Sequence, residues 1–240
     1  MSASSSIPET AHNPAARSIR EVVFGVNDGL VSITGVVVGV TSSHMARHEI
    51  VIAGLAAMVA ATVSMGLGAY LSTQAQREYF QSEWDREMQE VHEVPDEERR
   101  EVEGIMRQKG FTPDEAQHFT ARLMMDKQQW VDFMMKEELG IMVEAAEHPW
   151  LDAGVMAFSV VVGALPPILP FLFAISTQSA LLWAIALAIL VAFGLGVLKA
   201  VVAKGNWLRS GLQFLLVTSA AVVVGVVVGR ALGGIASTVG

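Results

Sequence analysis

Five stretches of this chain run for about 19–23 residues with almost no charge: 22–40, 50–71, 155–175, 180–202 and 212–232. A helix rises 1.5 Å per residue, so about 20 residues cross a hydrocarbon core of roughly 30 Å. The pattern predicts an all-α, polytopic membrane protein with five transmembrane helices. Between spans 2 and 3 the apolar runs give way to a polar segment with helical punctuation. No Gly or Pro interrupts the chain from Tyr70 to Val94, so span 2 is expected to continue as one long helix ending near Pro95. Pro95-Asp96-Glu97-Glu98 then reads as a helix start, and Gly110 as its end. Thr112-Pro113-Asp114-Glu115 starts the next helix with a Thr cap and acids at the positive end of the dipole. A last helix is expected from about Asp126 to Glu144, with His148-Pro149 as the break before span 3. The organisation is a disordered Ser/Ala/Pro-rich tail over 1–16, spans 1 and 2 over 17–72, a helical segment over 73–148 and spans 3 to 5 over 149–240.

Charge sharpens this division. The chain carries a formal −8, yet residues 78–147 hold 19 acids and 8 bases, a net of −11. The remainder, with 5 acids and 8 bases, is net +3. Acidity therefore belongs to one segment, and nucleic-acid binding, which needs a basic face, is excluded. Arg17 and Arg20 precede span 1, Arg77 and Arg86 follow span 2, and Lys199, Lys204 and Arg209 lie around the turn between spans 4 and 5. The bias of Lys and Arg toward the cytoplasm places the N-terminus and the acidic segment inside and the C-terminus outside, with Arg230 as the one dissenter. The hydrophobic share of 52% and mean hydropathy of +0.45 fit a membrane protein. The first apolar run has no small-residue cleavage site after it, so it reads as a retained span in place of a signal peptide. With no cysteine, any metal must be held by oxygen, nitrogen or thioether groups. About 75 residues make a marginal independent core, so the acidic segment is expected to lean on a partner subunit or on metal.

The candidate chemistry starts from Asp28, a carboxylate inside the first apolar run. An intramembrane acid costs several kcal/mol (roughly 2.5–3.5 on insertion scales) and normally faces a polar path. The bland alternative is a helix-end carboxylate that reaches water or bonds Asn27. Glu21 lies seven residues earlier on the same face, where an interfacial ion pair with Arg17 or Arg20 would equally account for it. Met65 in span 2 is expected at the same depth as Asp28, about 10–12 Å from the boundary, with simple packing beside Gly66 and Gly68 as its rival reading. Carboxylate and thioether at one level suit a dehydrated transition-metal ion.

In the acidic segment Glu87 and Glu90, Glu98 and Glu101, and Met134 or Met135 with Glu138 recur at i,i+3 or i,i+4, each set on one helix face. Three such helices can converge on divalent cations, although solvated glutamates and core methionines are the commoner outcome. Gly35/Gly39, Ser64/Gly68 and Gly225/Gly229 permit close helix approach. Pro166, Pro167 and Pro170 are expected to break or kink span 3. His44 and His48 are spaced for a metal but read as solvated, and Ser159 is a polar residue on span 3 without an evident role.

Several blocks together resemble the vacuolar iron transporter family of plants, fungi and bacteria. They are Arg20-Glu21 with Gly25-Val26-Asn27-Asp28-Gly29-Leu30, Ser64-Met65-Gly66-Leu67-Gly68-Ala69-Tyr70-Leu71 and Val94-Pro95-Asp96. Trp130-Val131-Asp132-Phe133-Met134-Met135-Lys136-Glu137-Glu138-Leu139-Gly140 and the proline cluster of span 3 complete the set. The resemblance extends from Arg17 to Arg230. It implies a homodimer in the bilayer that exports Fe²⁺, and often Mn²⁺, from the cytoplasm by proton antiport. It carries no prosthetic group, and Zn²⁺ and Co²⁺ suit the same ligands. By position, the family's metal-binding domain falls on Glu87, Glu90, Glu98, Glu101, Met134 or Met135, and Glu138. Its translocation residues fall on Asp28 and Met65. The family pattern has a glutamate in span 2 where this chain has Ala57, so Glu21 is left as the other carboxylate of the path. Two rival classes are a non-transporting metal sensor and a membrane-attached di-iron oxidase. The oxidase needs two Glu-x-x-His motifs, and only Glu115 to His118 fits.

Overall fold

The computed structural model describes residues 14–43, 45–140, 148–173 and 176–239. Residues 1–13 of the tail, His44, and the stretch 141–147 with Glu144 lie outside them. Eight helices follow in order: α1 (Pro14–Ser42), α2 (Arg47–Glu93), α3 (Pro95–Gln108), α4 (Pro113–Leu123), α5 (Lys127–Glu137), α6 (Pro149–Phe173), α7 (Thr177–Val202) and α8 (Trp207–Val239). Five of them, α1, α2, α6, α7 and α8, are long and apolar enough to cross a bilayer, in the places the hydropathy pattern predicts. The chain is a helical, multi-pass membrane protein. It divides into two units, Met1–Tyr70 with Trp150–Gly240, and Leu71–Pro149; α2 contributes to both.

Local chemistry explains the boundaries. α2 runs unbroken to Glu93, one residue before the Val94 that precedes Pro95. Pro95 opens α3, where its missing N–H costs no hydrogen bond. Thr112 caps α4 in a reciprocal box with Glu115. Asp126 caps α5 through the backbone N–H groups of Gln128 and Gln129. α5 stops at Glu137, earlier than the expected Glu144, and Gly140 follows with φ of +67°, a left-handed turn open to glycine.

Within the membrane unit the helices meet backbone to backbone. A Cβ built on Gly29 would lie 2.2 Å from the Val160 carbonyl oxygen, and one on Gly163 2.0 Å from that of Val26. α1 and α6 therefore cross at a contact that any side chain would pry open. Gly39, Gly225 and Gly229 seat α1 on α8 in the same way, and the Ser43 hydroxyl donates to the Gly229 carbonyl at 2.8 Å. The predicted Ser64/Gly68 pair is not used like this. Nothing lies within 4 Å of a Cβ on Gly68, and Gly66 packs on Ala153 and Ala157 of α6 instead.

The three prolines do not break α6, which is continuous from Pro149 to Phe173. In a bilayer a break would strand several carbonyls without water, so the helix is kept and only the bonds that Pro166, Pro167 and Pro170 cannot donate are lost. Ile33, Val37, Ile50, Ile168 and Phe171 form an apolar cluster on one side of the bundle, with Ala57 packed against it.

Gly163→Ala should lower the melting temperature by about 2–12 °C, since overpacking costs ~1–3 kcal/mol and each kcal/mol is worth ~2–4 °C at this size. Gly68→Ala, with open space around it, should leave melting unchanged. Thermal scans of both variants in detergent check this.

Candidate functional site

The acidic unit has a small core of Val91, Val102, Met106, Ala116, Trp130, Val131, Met134 and Met135. Three helices carry an acid at the end of the stripe that builds it. Glu87 lies one turn before Val91 on α2, and Glu98 one turn before Val102 and two before Met106 on α3. Glu138 follows one turn after Met134 as the C-cap of α5. Helical periodicity therefore drags Glu87 and Glu98 inward with the apolar residues. They are only 1% and 4% exposed, and each has one carboxylate oxygen (Oε2) without a hydrogen-bond partner. An orphaned anionic oxygen underground is costly unless a cation or a proton satisfies it.

Burial pushes the Glu98 carboxyl up to about 7, and repulsion from Glu101, Glu87, Glu90 and Glu138 adds to the push. Glu87 and Glu138 are also raised, again by burial first; repulsion from Glu90 and Glu101 reaches both, and the Arg86 guanidinium opposes the rise. Mutual repulsion is thus secondary to desolvation. Glu87, Glu90, Glu98, Glu101 and Glu138 share one electrostatic neighbourhood across α2, α3 and α5. Among the described residues, however, no group of three or more His, Asp or Glu side chains is arranged tightly enough to hold an ion as it stands. Met134 and Met135 are buried in the core of this unit.

Arg86 was not a site candidate from the sequence. Its guanidinium lies 3.0 Å from Glu83, 3.3 Å from Glu87 and 3.9 Å from Glu90, so it supplies the positive charge among these acids. The visible signal was its spacing of one and four residues from Glu87 and Glu90.

The sign of the pH effect follows from Glu98. Its folded-state value lies above the ordinary 4.5. Its stabilising contribution is therefore complete below about 4.5 and lost as pH rises through about 7. A divalent cation competes with that proton. Affinity for Mn²⁺ should fall up to about tenfold per pH unit on acidification below about 7, while the metal-free unit gains stability over the same range. Calorimetry between pH 5.5 and 8 checks both, and a flat affinity would contradict the assignment.

In the membrane unit Asp28 is half-buried on α1, and the Ser32 hydroxyl approaches its Oδ1 at 3.4 Å. Glu21, one face-repeat earlier, is 5% exposed; Arg20 donates to its Oε1 at 3.3 Å, while Oε2 has no partner. The expected interfacial ion pair is present and satisfies only one of its oxygens.

Met65 is half-buried on α2. Gly25 and Gly29 close on Met156, Ser159 and Val160 of α6, and Gly66 closes on Ala153 and Ala157 of the same helix. Asp28 and Met65 are sequence neighbours of Gly29 and Gly66, so their backbones flank the same two to three turns of α6. Ser159 is buried there and spends its hydroxyl on the Val155 carbonyl at 2.6 Å. Ala57 packs against the apolar cluster.

Residues 19–230 match the VIT family. The chain is 33% identical over 188 residues to vacuolar iron transporter 1 of Oryza sativa subsp. japonica, covering 78% of this chain and 75% of that protein. It is 32% identical over 205 residues to vacuolar iron transporter 1 of Tulipa gesneriana, covering 85% and 83%. A vacuolar iron transporter of Toxoplasma gondii is 33% identical over 152 residues, 63% of this chain and 50% of that one.

Proposed function

This chain belongs to the VIT family, and from that premise we propose that it moves Fe²⁺, and Mn²⁺ as well, out of the cytoplasm in exchange for protons. The observation that carries the reading is Asp28, an acid in a bilayer-spanning helix, set beside the α1–α6 crossing with only a long contact to Ser32. Such an acid is costly in a bilayer, and a cation passing through a water-filled path removes that cost. Glu21 is the second carboxylate of the path, and Met65 contributes a thioether at its side.

The acidic unit lies in the cytoplasm together with the N-terminus, and the C-terminus lies outside, in keeping with the distribution of Lys and Arg. There Glu87, Glu90, Glu98, Glu101 and Glu138, with a thioether from Met134 or Met135, draw together around incoming ions. The cation satisfies the two orphaned oxygens of Glu87 and Glu98. Two copies associate as a homodimer.

The oxidase alternative loses its one motif to structural duty. The Glu115 carboxylate accepts from the Thr112 N–H at 2.9 Å and its hydroxyl at 2.7 Å, which closes the cap of α4. Transport is separated from mere sensing by counting ions. Vesicles holding the purified protein should accumulate many Fe²⁺ per chain, released when the vesicles are permeabilised. A plateau at a few ions per chain that survives permeabilisation would mark a binding protein.

A further inference from the structure

At the end of the bundle that carries Arg20 and Lys199, α1, α7 and α8 enclose a groove of about 420 Å³. Arg20 and Lys199 stand in its lining with Asn27, and Val23, Phe24 and Phe214 supply apolar walls. Lys199 sits in the last turn of α7 with its ammonium 5.7 Å from the centre of the Phe214 ring. No carboxylate lies within ion-pair distance of it among the described residues. Arg20 spends one nitrogen on Glu21, but its side chain is 86% exposed, so most of the guanidinium is open to a further anion. Phe24 is exposed along the wall.

The groove is amphiphilic in the direction of the bilayer. Both cations belong to the ends of the spans, where phospholipid headgroups lie. Val23, Phe24 and Asn27 continue inward along α1 from Arg20, so an acyl chain meets apolar wall and an amide is available to an ester carbonyl.

Free phosphate would have no use for the walls. A second copy packed here about a two-fold axis would bring two Arg20 and Lys199 pairs into one interface, with Lys204 and Arg209 near in sequence adding like charge. We propose that this groove holds one anionic phospholipid, its phosphate between Arg20 and Lys199 and one acyl chain along Val23 and Phe24. The lipid then bridges α1, which carries Asp28, to α7 and α8. This assignment stands apart from the transport reading.

The test uses the full-length protein in detergent, titrated with phosphatidylglycerol or phosphatidylcholine of equal chain length and read by native mass spectrometry. Wild type should keep one more phosphatidylglycerol per chain than phosphatidylcholine at equal activation energy. Lys199→Gln should lower that retention at least about fivefold, since one of two charge contacts is gone. Lys199→Arg should retain the lipid, and an unchanged circular-dichroism melt confirms that the Gln variant is folded. Where that variant fails to fold, Phe214→Ala and Lys199→Arg decide: the first should lose retention and the second keep it. Equal retention of the two lipids by wild type, full retention in Lys199→Gln, or displacement by millimolar inorganic phosphate would each overturn the proposal. So would efficient copy-to-copy cross-linking through cysteines placed at Phe24 and Phe214.

Discussion

Asp28→Asn should cut metal flux by at least about a hundredfold in protein that still folds, because removing one member of a desolvated charge pair costs ~3–5 kcal/mol and each 1.36 kcal/mol is tenfold in rate. The substitution keeps the volume of the side chain and its capacity to bond Ser32, which approaches Oδ1 at 3.4 Å. Asp28 is only half-buried, and the crossing beside it is made by Gly25, Gly29 and Gly163. Melting temperature should therefore be unchanged or slightly raised, since an unpaired acid is relieved of its desolvation cost. Flux in reconstituted vesicles, with a thermal scan of the same preparation, separates the two effects. Wild-type flux in Asp28→Asn would remove this residue from the path.

The second large effect belongs to the acidic unit. Alanine at Glu98, Glu101 and Glu138 takes one buried acid from α3, its partner one turn on, and the acid at the end of α5. Five acids held together repel, and two oxygens lack partners, so the wild-type unit gains from binding a divalent ion. The triple variant loses that gain and loses repulsion as well. It should fold at least as stably without metal, while its Mn²⁺ affinity falls by at least about a hundredfold, taking each lost carboxylate ligand as ~1–2 kcal/mol. If the unit captures ions for the Asp28 path, flux should fall at low metal and recover partly when metal saturates. Initial rates against metal concentration read this directly: a raised half-saturation with a preserved maximum supports capture. A triple variant as inactive as Asp28→Asn at saturating metal would make the unit an obligatory part of the path.

Much of this architecture is legible in the sequence because two strong physical signals coincide. Uninterrupted apolar runs define α1, α2, α6, α7 and α8, since a bilayer tolerates little else, and prolines and caps punctuate α3 and α4 where backbone groups need partners. The helix end after Glu137 was not legible in this way. The alternation of charged and apolar residues continues past it, and the left-handed turn at Gly140 decides the matter. The prolines of α6 suggest a break or a kink, and the break is absent. Their local preference for a break is outweighed by the cost of bare carbonyls in a bilayer, and α6 remains one helix.

Among the candidate site residues, spacing put Glu87, Glu98 and Glu138 each on one helix face with a neighbouring ligand candidate, but gave no sign that Glu87 and Glu98 are buried. That depends on Val91, Val102 and Met134 being core from three different helices, which is a tertiary fact. The role of Arg86 was hidden likewise, because a lone base in an acidic helix looks like an ordinary surface pair. A relation between Asp28 and Met65 could be argued from the sequence only by depth. Their common relation to α6 came from Gly29 and Gly66, whose contacts no periodicity reveals.

The central claim, that divalent metal crosses this protein against protons, is tested most directly in vesicles loaded with a metal-sensitive dye and a pH-sensitive dye together. With the vesicle interior acidic and Fe²⁺ added outside under reducing conditions, the interior should gain metal and turn alkaline in step. Dissipating the proton gradient should stop both. Metal entry at the rate of protein-free vesicles, or entry that ignores the gradient, would contradict the account.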